Sequence, residues 1–147
     1  MENYIEESIV SFVEEMYAKV SSPDKKGLQN INENLPRLDH KEADTLHYIV
    51  SKLIWVAKMG RPDIEPDILF LCNRVTKSTV KYKENLKRVM QFLKQTIKNK
   101  RVVGADNLSQ LFILVDAAYG VHPDLKIHTG GGISFLYGLV HCKSIKN

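Results

Sequence analysis

The chain has 147 residues, 44% of them hydrophobic and 26% charged, which suits one ordinary domain, or two small pieces sharing a core, with no need of disulfide staples. The amino terminus, MENYIEESIV, carries acids where a secretion signal would carry basic residues, and no apolar run is long enough to span a bilayer, so an intracellular protein of cytoplasm or nucleus is expected. The formal charge of +4 hides an asymmetry: residues 1–73 are net −5, residues 74–101 net +9 and residues 102–147 neutral, which suggests an anionic partner such as nucleic acid.

Residues 3–20 read as a helix, with Ile5, Ile9, Phe12, Val13, Met16 and Val20 at helical spacing. SSPDKKGLQNINENLPRL (21–38) is a connector rich in proline and asparagine, long enough that part of it should pack against a neighbour. Residues 40–59 give the clearest helix. Asp39 is placed to cap it, with Glu42 three residues on, and Leu46, Ile49, Val50, Leu53, Ile54, Trp55, Val56 and Ala57 make it apolar over most of its circumference, as a central buried helix would be. Gly60-Arg61-Pro62 should end it, and Pro62 suits the first turn of a second helix over 63–75. A third helix is expected over 78–98. Its Tyr82, Leu86, Val89, Met90, Leu93 and Ile97 fall within an arc of about 100°, and Lys83, Lys87, Lys94 and Lys98 within an adjoining arc of about 60°. After Asn107 the period changes. QLFILVDAAYG (110–120) reads as a buried strand, HPDLKIHTGGG (122–132) as a loop, and ISFLYGLVHCKSI (133–145) as two strands joined around Gly138.

Several chemistries are disfavoured by spacing. Cys72 and Cys142 lie in no metal-ligand pattern and read as thiols of a reducing compartment. His122, His128 and His141 near Asp116 and Asp124 match no standard zinc spacing. Gly130-Gly131-Gly132 is followed by no Lys-Ser/Thr and no helix, so it is no phosphate loop; the glycines suit a close backbone approach.

Three runs in order carry a resemblance. KLIWVAKMGRPDIEPDILFLCNRV (52–75) resembles the "ARPDI" segment of copia-type retrotransposon reverse transcriptases, where thumb and connection begin. NLKRVMQFLKQTI (85–97) is similar to the family's "K-R-V-L-R-Y-L-K-G-T" helix. FILVDAAYGVHPDLKIHTGGGISFLYGLVHCKSIKN (112–147) is similar to its first RNase H strand, "H-T-G-G" loop and following hairpin, with the family's "D-A-S-Y/F" present as Asp116-Ala117-Ala118-Tyr119. The likeness is good over 40–147 and loose before it. It implies an α+β fold in three parts: an N-terminal helix and connector (1–38), a helical thumb/connection-like region (39–107) and truncated RNase H-like strands (108–147) forming a short antiparallel sheet.

The resemblance also implies what is missing. The family polymerises through Tyr-x-Asp-Asp, and this chain has no Asp-Asp. RNase H chemistry gathers roughly four carboxylates around two Mg²⁺ ions, one activating water and one stabilising the leaving oxygen. Asp116 corresponds to the first of them. The next follows the family's "K-S-S/T-K-Q", and this chain stops at Lys143-Ser144-Ile145-Lys146-Asn147. A lone carboxylate binds Mg²⁺ weakly, so no tightly held metal is expected.

Three functions therefore compete. One is a catalytically inactive piece of the polyprotein that grips an RNA–DNA hybrid or other nucleic acid through Lys83, Lys87, Lys94 and Lys98. Another is an RNase H completed in trans, by self-association or by the rest of the polyprotein. The last is a helical protein-interaction module with no nucleic-acid role, whose sign would be a lysine arc packed against the acidic first helix.

Overall fold

A computed structural model describes residues 1–24, 34–105, 107–118 and 127–146. It is an α+β chain that divides at Asn99/Lys100 into a helical unit (1–99) and a β unit (100–147), so the division precedes the change of period at Asn107. The described part of 1–38 belongs with the helices.

Among its described residues the helical unit has four α-helices: α1 (Glu2–Ser11), α2 (His40–Met59), α3 (Glu65–Cys72) and α4 (Val80–Gln95), with single 3₁₀ turns at Pro62–Ile64 and Val75–Lys77. Asp39 caps α2 as its spacing implied, its side chain accepting from the Glu42 backbone N–H at 2.7 Å. Gly60 ends the helix, and Pro62 opens the next turn. Leu46, Ile49, Val50, Leu53, Val56 and Ala57 turn one face of α2 to the core, against Ile5 and Phe12, Ile64, Ile68, Phe70 and Leu71, and the α4 face of Tyr82, Leu86, Val89, Met90 and Leu93. Each fully buried aliphatic or aromatic side chain contributes about 1.5–3 kcal/mol.

Two helical expectations are corrected. The first helix ends at Ser11, not near residue 20. Phe12 leaves helical geometry with ψ at 88°, and the chain then follows α4: the Gln95 side-chain amide donates to the Ala18 carbonyl and accepts from the Val20 N–H. Phe12, Met16 and Val20 still reach the core, but from an irregular segment, while Val13 is 92% exposed. Tertiary partners for the backbone replaced helical ones. Trp55, expected inside, is 45% exposed and rests on the Tyr4 ring at a centroid distance of 4.9 Å. α2 is thus buried on one face only. The connector does pack where described. Leu38 donates to Ser78 and Val80 donates to Pro36, so residues 36–38 lie alongside the entry to α4.

The β unit holds a three-stranded antiparallel sheet in the order β2 (Phe112–Ala118), β3 (His128–Ser134) and β5 (Leu139–Lys146), and a two-stranded pair of β1 (Gly104–Ala105) with β4 (Leu136–Tyr137). The stretch expected as a loop through residue 132 is strand from His128 onward, with Gly130, Gly131 and Gly132 hydrogen-bonded between β2 and β5. A Cβ on Gly132 would come within 2.6 Å of a Leu139 methyl, so a side chain there would require the Leu139 side chain to shift. The two strands read as meeting at Gly138 are placed differently: β3 ends at Ser134, Leu136–Tyr137 pair with β1, and Gly138, at φ +72°, leads into β5, with the Ser134 hydroxyl donating to its carbonyl at 2.8 Å. β2, expected to be buried, is exposed along its whole length. It is an edge strand, and nothing among the described residues of its own unit covers either face.

Candidate nucleic-acid interface and metal position

Helical spacing put four lysines on one side of α4, and the structure divides them into two pairs. Lys83 and Lys87 are about one-third exposed or less and engaged within the molecule. The Lys83 ammonium donates to a Glu14 carboxylate oxygen at 2.5 Å and to Glu42 at 2.8 Å, and Lys87 reaches the other Glu14 oxygen at 3.1 Å. Burial pushes the Glu14 carboxyl up, but hydrogen bonds from Lys83 and Lys87 outweigh it and hold the group below the usual glutamate range. The same bonds from Glu14 and Glu42 raise Lys83 above the usual lysine range. Glu14 lies just past the end of α1, in the segment drawn across α4, and no helical pattern could have disclosed its pairing.

Lys94 and Lys98 lie at the other end of the arc. Lys94 is exposed in the last turn of α4, and Lys98 is exposed in the turn beyond the helix, which ends at Gln95 rather than at residue 98. Among the described residues neither has an ion-pair partner. The arc thus presents two unneutralised ammonium groups rather than four. Arg88, off the arc, donates to the Asp24 carbonyl at 3.1 Å.

The arginine of the Gly60-Arg61-Pro62-Asp63 run has a structural post. Arg61 is 3% exposed, bidentate to Asp63, and bonded to both the carbonyl and the hydroxyl of Thr96 at 2.9 and 2.7 Å. It ties the end of α2 to the end of α4. Asp67, which no motif singled out, is buried at 3% exposure in the first turn of α3. Burial first, and the nearby Asp24 charge second, push its carboxyl up to about 7, against the opposing pull of its own backbone N–H and of Arg88. Its sequence signal was an acid inside the apolar run EPDILFL. A cavity of about 370 Å³ opens beside the Glu14–Lys83 cluster, floored by Phe12 and Leu46.

In the β unit, Asp116 sits on β2 directly across from Gly130 of β3. It is exposed, and it is the one carboxylate among the described residues of 100–147. His122 and Asp124 lie outside the described residues, and His141 is exposed on β5. Among the described residues no three His, Cys, Asp or Glu side chains gather as a metal site. Mg²⁺ takes an octahedral oxygen shell and gives up water reluctantly, so Asp116 with glycine opposite does not compose a site for it. No helix among the described residues is long and apolar enough to cross a membrane. No protein-family model, no curated protein and no solved structure matches this chain.

Proposed function

We infer that the chain is the piece of a copia-type retrotransposon polyprotein where the reverse transcriptase passes into the RNase H domain, an intracellular fragment that binds an RNA–DNA hybrid or other nucleic acid without catalysing alone. The observation that carries the reading is the placement of Asp116-Ala117-Ala118 and of the H-T-G-G run. Asp116 falls on the first strand of an antiparallel meander, Thr129-Gly130-Gly131 on the second, and Lys143-Ser144 on the third. The Arg61-Pro62-Asp63-Ile64 run sits at a helix-to-helix turn and Lys87-Arg88-Val89 on the following long helix, the order in which the family carries them. Chemistry supports the inactive form of this reading. Two-metal cleavage needs several convergent carboxylates, and the described β unit supplies Asp116.

Nucleic acid falls to Lys94 and Lys98, since engaging Lys83 or Lys87 would first break their bonds to Glu14 and Glu42. Phosphate contacts release counterions, so affinity should fall steeply with salt and ignore sequence. Fluorescence anisotropy of a labelled RNA–DNA hybrid, titrated at several salt concentrations, tests this. Lys94→Ala with Lys98→Ala should lower the slope of log affinity against log salt by about 2. Salt-independent binding, or none at low salt, defeats the reading. A specific observation also favours the interaction-module reading: half of the lysine arc packs against the acidic amino-terminal segment through Glu14. That reading expects no hybrid binding at any salt. RNA cleavage with Mg²⁺ that is lost in Asp116→Asn would instead establish an enzyme completed in trans.

A further inference from the structure

The sheet of the β unit has two unlike edges. β5 carries His141 and Lys143, both exposed, and an edge lysine discourages strand addition. β2 carries FILV ahead of its one charge, Asp116. Leu111, Phe112, Ile113, Leu114 and Val115 are 52, 42, 66, 58 and 74% exposed. Alternation sends Leu111, Ile113 and Val115 to one face and Phe112 and Leu114 to the other. An edge strand apolar on both faces is fit to take on another strand.

We propose that this edge pairs with the same edge of a second copy of the chain, antiparallel and centred on Ile113. In an antiparallel ladder facing residues share backbone orientation: both point their N–H and C=O at the partner strand, or both point them away. A strand meeting its own copy must therefore turn about a residue. Turning about Ile113 sets Leu111 against Val115 and Phe112 against Leu114, so all five apolar side chains meet apolar neighbours on both faces. It also sets Asp116 opposite Gln110, whose amide can donate to the carboxylate. The two Asp116 groups then stand about 20 Å apart, six strand residues, beyond the reach of unscreened repulsion. Turning about Leu114 would bring Phe112 against Asp116. Parallel in-register pairing would stack Asp116 on Asp116 at about 4.8 Å. Charge and apolar pattern together select the Ile113 register.

Sedimentation velocity of the full chain over a micromolar concentration series, without nucleic acid, reads the association independently of hybrid binding. A reversible monomer–dimer equilibrium is expected, with Ile113→Lys monomeric throughout. Its side chain projects outward, so the circular dichroism of the variant should match that of the parent. Under mild oxidation Ile113→Cys should give covalent dimer well above the parent chain, because the two Ile113 Cα atoms would lie about 5 Å apart. Leu108→Cys, about ten strand residues from its copy in this register, should give none above the parent. The cysteine pair decides the matter should Ile113→Lys misfold. A monomer across the series, a dimer indifferent to Ile113→Lys, or equal cross-linking at Leu108 and Ile113 overturns the proposal.

Discussion

Asp67 is an acid where the packing wants none. Its position in the first turn of α3 favours negative charge through the helix dipole, yet burial dominates and raises the carboxyl to about 7. The sign of the linkage follows. The folded state holds the Asp67 proton to higher pH than the unfolded chain, so stability is fullest below the unfolded value near 4 and declines as pH climbs through about 7. The loss should be about 1–3 kcal/mol between pH 5 and pH 8. Asp67→Asn should flatten that decline in urea melts run at several pH values. A decline of the same size in the variant would exonerate Asp67. Glu14 works the opposite way: its lowered carboxyl contributes stability above the unfolded glutamate value, and that contribution disappears on acidification. Lysine periodicity predicted that Lys83 and Lys87 share a side of α4, which they do. That the side was occupied could not be read, because Glu14 reaches it from nearly 70 positions earlier.

At the scale of elements, caps and stops were local chemistry and therefore legible: Asp39 before α2, Gly60 after it, Pro62 in the next turn. The end of α1 was not. Phe12, Met16 and Val20 recur every four residues, a spacing that also serves a segment lying across α4, and Gln95 decided between the two by bonding residues 18 and 20. Glycine misled in β3, where three in a row resemble a loop. Flanked by two strands, they gain a full ladder of hydrogen bonds that offsets their entropy. Gly138 is the stricter case. At φ +72° any side chain is strained, and a Cβ there would meet the Val102 carbonyl oxygen at 2.0 Å. Gly138→Ala should destabilise the β unit by on the order of 2 kcal/mol or more. Gly131→Ala, whose Cβ would find ordinary contact at 3.5 Å, should cost appreciably less. Hydrogen exchange at the β3 and β5 amides separates the two; equal deprotection would remove the steric account.

For the molecule as a whole, stability concentrates in the helical core. Leu53 is fully buried at its centre, among side chains from α1 to α4. Leu53→Ala should lower unfolding free energy by about 2–5 kcal/mol, followed by helical circular dichroism in a denaturant titration. A change under about 1 kcal/mol would mean that the core tolerates the hole.

The sequence by itself determined that α2, α3 and α4 are helices, the apolar face of α4, the passage from helix to strand in the last third of the chain and the crowding of positive charge into 74–101, because each follows from spacing of a few residues along the chain. Tertiary structure alone decided which lysines remain available, how Trp55 sits, where α1 stops and that the most apolar strand lies at an edge. Those outcomes depend on side chains far apart in sequence competing for the same hydrogen bonds and the same buried space, and no local period encodes the winner.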